Sequence, residues 1–199
     1  MIFVNNSSYR FSFHDVKLTK WFLAHGADPN RRYYQYTDRT PLSFAFQKAP
    51  FHIIQLLLDH GASLQYGQVL HYAALRELDD RLEVLQYLLN HGCPLNNIMY
   101  QNCGDEYFFH MYSGIGSPLH YAAMKGLLDS VKFLVQQGAS PNIRDPIGQT
   151  AADWARKYGH MAVYNFLQEL STSDDSEGSL QFTDLPGHHF RPTPLEEIQ

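Results

Sequence analysis

The residues with the widest chemical reach in this chain are two cysteines and eleven histidines. Cys93, Cys103 and His110, with His91 close by, are of the types that hold zinc. Their Cys-x9-Cys-x6-His spacing lacks the close cysteine pair of a structural zinc site. Ser117 and His120 bring a hydroxyl and an imidazole within three residues, a pairing that nucleophilic catalysis can use. The same spacing joins a helix N-cap to the residue that closes the first turn. The sequence has no Gly-x-Ser-x-Gly elbow, no phosphate-binding loop and no His-Glu-x-x-His. The expectation is therefore no catalytic residue, no metal and no cofactor.

The elements that would position these residues recur along the chain. One phrase reads "WFLAHGADPN" at 21–30, "LLLDHGASLQ" at 56–65, "YLLNHGCPLN" at 87–96 and "FLVQQGASPN" at 133–142. Another alternates with it: "TPLSFAF" at 40–46, "QVLHYAA" at 68–74, "SPLHYAA" at 117–123 and "TAADWAR" at 150–156. Thr40, Ser117 and Thr150 stand where an N-cap belongs, since their side-chain oxygens accept orphan backbone N–H groups. Pro41 and Pro118 follow at the first helical position, which needs no N–H. Asp153 completes a capping box with Thr150. Ala45, Ala73, Ala74, Ala122, Ala123, Ala151 and Ala152 make this first helix narrow, so its neighbours can approach closely. A second helix carries apolar pairs at helical spacing: Ile53, Ile54, Leu57 and Leu58, then Val84, Leu85, Leu88 and Leu89. Gly26, Gly61, Gly92 and Gly138 close the second helices with a left-handed cap. His25, His60 and His91 precede three of those glycines, at the negative end of the helix dipole. In "RDPIGQT", Asp145, Pro146 and Gly148 take the first, second and fourth positions of a type I turn.

The unit is helix, turn, helix and turn-tipped finger, and Ser117 to Thr150 spans one period of 33 residues. "SPLHYAAMKGLLDSVKFLVQQGASPNIRDPIGQT" resembles the ankyrin repeat in both phrase and period. The resemblance implies an all-α ankyrin-repeat solenoid over 8–170, with five units near 8–39, 40–67, 68–116, 117–149 and 150–170. Residues 1–7 precede it. It also implies that His71 and His120 tie neighbouring turns together, that Trp154 is stacked between units, and that inner helices and fingers form a concave face for protein partners. The first unit is degraded: "YRFSF" at 9–13 aligns with "LSFAF" at 42–46 but has no Thr-Pro before it.

The fingers are unequal. Thr40 to Gln68 is 28 residues, so the finger after Gly61 is nearly deleted, whereas Gln68 to Ser117 is 49. The extra residues include "YQNCGDEYFFHMY" at 100–112. In one reading this enlarged finger loop folds back, buries Phe108 and Phe109 and fills the notch left by the missing finger. In the other, Tyr100, Tyr107 and Tyr112 face solvent and anchor a partner, as tyrosine often does at interface hot spots. Arg31, Arg32, Tyr33, Tyr34 and Tyr36, in the finger before Thr40, are the further candidates for partner contact.

Residues 171–199 hold six acids and one base, enough to account for the whole net charge of -5 and to leave the rest neutral. A neutral body lacks the basic field that nucleic acid or anionic membrane attracts. No apolar run reaches the ~20 residues of a membrane span, and the first residues lack a signal-peptide pattern. Two cysteines are too few for a disulfide scaffold, which fits a reducing compartment, cytoplasm or nucleus. The acidic tail reads as disordered. These features make the expected function non-catalytic binding of protein partners by a chain monomeric on its own. The alternative is an autoinhibited regulator whose tail covers the binding face.

Overall fold

The computed structural model describes residues 15–32 and 38–174. Tyr9, Phe11 and Phe13, the finger tyrosines Tyr33, Tyr34 and Tyr36, and the acidic residues 175–199 lie outside the described residues. Ten helices form within that range: α1 (Val16–Ala24), α2 (Pro41–Lys48), α3 (Phe51–Asp59), α4 (Val69–Ala73), α5 (Arg81–Asn90), α6 (Gly104–His110), α7 (Pro118–Met124), α8 (Leu128–Gln136), α9 (Ala151–Lys157) and α10 (Met161–Asp174). Helices α2 and α3, α4 and α5, α7 and α8, and α9 and α10 pack as consecutive pairs, with α1 packed on α3. Inner helices pack in the series α2, α4, α7, α9, and α8 lies between α5 and α10 in the outer row.

Helix starts follow from short side chains. Thr40 and Thr150 are N-caps in capping boxes with Ser43 and Asp153. The Ser117 N–H donates to His120 Nδ1 at 3.2 Å, the equivalent closure at α7. Helix exits follow from glycine. Gly26, Gly61, Gly92 and Gly138 have φ between 75° and 95°. Beyond each, an amide reaches back into the last turn: Ala27 to Phe22, Ala62 to Leu57, Cys93 to Leu88 and Ala139 to Leu134. These are Schellman closures, and Cys93 occupies a position that is alanine in the other three. The preceding histidines add a bond of their own. Nδ1–H of His25, His60 and His91 donates to the carbonyls of Trp21, Leu56 and Tyr87 at 2.7–2.8 Å.

The core is one continuous row. Leu42, Ala45, Phe46, Ile53, Ile54 and Leu57 are fully buried, as are Ala74, Val84, Leu85, Leu88, Ala122, Ala123, Val131, Leu134, Ala155 and Leu167. Alanine on the inner helices lets successive units close up, while branched residues of the outer helices fill the space behind them. Trp154 is buried and meets His120 and Tyr121 edge-on, with centroids at 5.2 and 5.6 Å. Its Nε1–H donates to Asp145 Oδ2 at 2.8 Å, so the tip of one finger is tied to the helix that follows. The Asp145 turn closes through a Gly148 N–H bond to the Asp145 carbonyl.

Three features depart from the pattern. Gln68, the start of the third unit, has φ 52° and gives no side-chain cap. The deleted finger leaves no residues to bring the chain round in an extended conformation, so a left-handed residue makes the turn. The enlarged finger is not only loop, because it holds the two-turn helix α6. The last helix continues to Asp174, past the boundary expected at 170.

Candidate protein-interaction surface

The insertion leaves the stack and returns to it through a Met99 N–H bond to the Gly116 carbonyl at 3.0 Å. Between these points Tyr100 folds inward, correcting its place among the solvent-facing tyrosines. With φ 64° its ring turns back into the core, where it is 4% exposed. It stacks on His110 at 5.1 Å, and its hydroxyl lies 3.5 Å from that of Tyr72. Burial drives its pKa above the ordinary tyrosine value. Tyr107 is half-buried against the core. The notch-filling reading fails for the phenylalanine pair: Phe108 is 70% and Phe109 62% exposed. Tyr112 is 81% exposed, so the far side of α6 and the turn after it present three aromatic rings to solvent.

Helix α6 is held to the first finger by Arg32. Its Nη1 pairs with Glu106 Oε1 and its Nε with Asp38 Oδ1, both at 3.1 Å. Arg32 therefore braces the insertion, while Arg31 beside it is exposed. The inner helices add a second stretch of surface. Gln47, Lys48, Leu75, Glu77, Leu78 and Lys125 line a hollow of about 470 Å³. Met124, Leu127, Tyr158 and His160 line an adjoining one of about 620 Å³, with the Lys125–Glu77 ion pair between the two.

The candidate chemical groups have structural work. His120 Nδ1 accepts from Ser117, and its Nε2 donates to the Gln149 carbonyl at 3.1 Å. His71 Nε2 donates to the Asn97 carbonyl at 2.8 Å. Burial lowers the pKa of both rings, that of His71 to about 4. Cys93 and Cys103 are free, and burial pushes the Cys93 thiol up to about 11, away from a metal-binding thiolate. Among the described residues no three His, Cys, Asp or Glu side chains are placed to hold a metal. No helix among them is long and apolar enough to cross a membrane.

The sequence pattern alone does not single out Arg76. It is fully buried, yet chelates Asp80 through Nε and Nη2, each at 2.6 Å, and its Nη1 donates to the Phe46 carbonyl at 3.0 Å. It thereby caps the end of α2 from the next unit.

A paired-helix stack with glycine-closed outer helices, histidines bonded to the next finger and a shared alanine-lined row has a counterpart among known families. The family "Ankyrin repeats (3 copies)" matches residues 9–99 and "Ankyrin repeat" matches residues 117–146. The chain belongs to the ankyrin-repeat family. Ankyrin repeats mediate protein–protein interaction, and the repeat scaffold is itself non-catalytic. Similar proteins include the probable E3 ubiquitin-protein ligase XBOS33 of Oryza sativa subsp. japonica, 46% identical over 56 residues, covering 28% of this chain and 11% of that protein. The E3 ubiquitin-protein ligase hecd-1 of Caenorhabditis elegans is 33% identical over 118 residues, 56% of this chain and 4% of its own length. The potassium channel AKT1 of Arabidopsis thaliana is 27% identical over 188 residues, 78% of this chain and 20% of its own. The chain thus spans a fifth or less of these relatives.

Proposed function

We propose that this ankyrin-repeat protein is a non-catalytic docking module for protein partners, with the α6 ridge as an anchor beside the inner-helix face. The observation that carries this reading is the exposure of Phe108 and Phe109 on a helix braced by Arg32, and of Tyr112 in the turn that follows it. Aromatic side chains held on a fixed scaffold lose little conformational entropy when they enter a partner's pocket. Arg31 is a further contact, as are Tyr33, Tyr34 and Tyr36 by their place in the first finger. The free cysteines fit a reducing compartment, cytoplasm or nucleus. The chain spans a fifth or less of the named ligases and the channel, so their activities are not assigned to it. The test is affinity capture from native cells with wild type and with Phe108→Ala, Phe109→Ala, Tyr112→Ala combined. The triple variant should keep its urea midpoint and lose the specific partner. Unchanged capture would move the site to the inner-helix hollows.

The charge distribution favours a second reading. Residues 171–199 carry the net charge of the chain, while Lys48 and Lys125 border the inner-helix hollow. An acidic tail that covers this face would make the protein an autoinhibited regulator. Removal of 175–199 would then raise affinity for the captured partner, and equal affinities with and without the tail would dismiss it.

A further inference from the structure

We propose that the gap left by the shortened finger is a separate docking slot, which accepts an uncharged tight turn of a partner protein in place of the finger this chain lacks. Between Thr40 and Gln68 the chain is five residues shorter than the 33-residue period. The enlarged finger does not fill the space with its phenylalanines. What remains is a cavity of about 290 Å³, lined by Arg32 and Asp38 from the first finger and by Asn97, Gln101, Asn102 and Cys103 from the enlarged one. Gln65, Tyr66 and Gln68, from the shortened finger, line it as well. That volume lies at the small end of the ~300–1,000 Å³ of ordinary ligand pockets, a fit for the tip of a turn and not for a helix.

Charge and hydrogen bonding define the occupant. Arg32 and Asp38, the charged residues that line the cavity, are paired with each other, and Glu106, the second partner of Arg32, is not part of the lining, so the walls carry no net charge. The Gln65, Asn97 and Asn102 carboxamides make no side-chain hydrogen bond among the described residues, and Gln101 uses only its oxygen, which accepts from the Ile98 N–H. Each free carboxamide carries donors and an acceptor in one plane, as a peptide group does. They therefore match main chain that has both N–H and C=O unpaired, which is what a tight turn exposes. The walls are held apart before anything binds. Gln68 Nε2 donates to Asp38 Oδ2 at 3.2 Å, the Tyr100 N–H donates to Gln68 Oε1 at 3.4 Å, and the Gly67 N–H donates to Asp38 Oδ2 at 3.0 Å. A slot fixed in this way loses little entropy on binding.

The experiment is selection from a displayed library of disulfide-constrained seven-residue turns against the whole chain. Peptides with uncharged turn centres should be enriched. Their affinity should fall about tenfold or more in Asn97→Ala with Asn102→Ala, the loss of one to two hydrogen bonds. It should vanish when five residues are inserted between Gln65 and Tyr66 to restore the finger. It should not change in Phe108→Ala with Phe109→Ala, which separates the slot from the α6 ridge. Three outcomes would overturn the proposal: no enrichment over an unrelated ankyrin stack, selection of charged peptides, or binding that survives both the double substitution and the insertion. Circular dichroism and urea midpoints of the variants show that each is folded when it is scored.

Discussion

The fourth position of the inner-helix phrase holds Ser43, His71, His120 and Asp153 in turn, and side-chain length tracks the finger that must be reached. Ser43 is short, and its Oγ–H meets the Gly67 carbonyl at 2.5 Å because the finger there is cut back. His71 and His120 reach longer fingers at Asn97 and Gln149. Asp153 turns back and accepts the Thr150 N–H at 3.0 Å. Two predictions belong to this scale. His71 has a folded-state pKa lowered to about 4 by burial, against about 6.5 when unfolded. The unfolded chain therefore binds the extra proton first. Stability is fully present above the unfolded value and is lost as pH falls through the window toward 4. Between pH 7 and pH 5 this one ring should cost about 2 kcal/mol. His71→Gln, which keeps a donor and does not titrate, should flatten the fall in urea midpoint over that range; equal slopes would assign it to other groups. The second concerns Gly67, at φ 80°, where an added Cβ would lie 2.1 Å from Ser43 Oγ and 2.5 Å from Thr40 Oγ1. Gly148, at φ 87°, faces open space. Gly148→Ala should thus cost about 1 kcal/mol of backbone strain, and Gly67→Ala more than about 2 kcal/mol once the cap is also displaced. Urea midpoints that rank the other way would show that the Thr40–Ser43 cap yields to the intruding methyl.

Helix by helix, the sequence reveals elements whose start and stop are written in residue types. Thr40, Pro41 and Thr150 mark beginnings, and Gly26, Gly61, Gly92 and Gly138 mark ends, because these residue types suit the backbone there. Helix α6 carries no such marks: Cys103 gives no side-chain cap, and none of its residues is buried. Its form depends on the Arg32–Glu106 pair, a contact between residues 74 apart that no local pattern encodes. Tyr100 and Tyr112 are the same residue type on one insertion, and only the left-handed φ of Tyr100 decides which is core. Arg76 illustrates the same limit, since an arginine just past the end of a short helix reads as solvated by default. Its burial joins α2 to the third unit, and the fork geometry of guanidinium serves Asp80 and the α2 end together. Arg76→Ala would leave the Phe46 carbonyl and the Asp80 carboxylate without that partner. Chemical denaturation should show a loss on the order of 3 kcal/mol or more, with Arg76→Lys recovering little of it. Full rescue by lysine would mean that charge alone, without the fork, serves this junction.

Across the whole molecule, stability is a chain of junctions, because each unit packs mainly on its neighbours along the continuous row of the core. The junctions differ in kind. Arg81–Asp129 and Lys125–Glu77 ion pairs cross from the third unit to the fourth. Asn30 and Asn96 each clasp the loop of the next outer helix, at Gly61 and Ser63 and at Gly138 and Ser140. The last junction rests on Trp154, which is gripped by His120, Tyr121 and Asp145, and on His160, whose Nε2 donates to the Met124 carbonyl at 3.0 Å. Removal of a buried tryptophan costs about 3–5 kcal/mol, more than one end unit has to spare. In a one-dimensional stack that loss falls on the unit that owns the residue and fades with each junction crossed. Trp154→Ala should therefore abolish hydrogen-exchange protection in α9 and α10, weaken it in α7 and α8, and leave α2 and α3 as they were. Mass-spectrometric exchange on peptides from these helices reads the gradient directly. Equal loss from α2 to α10 would mean that Arg76 and the ion pairs couple the units into one cooperative body, and the α6 ridge would then be lost along with the far end of the stack.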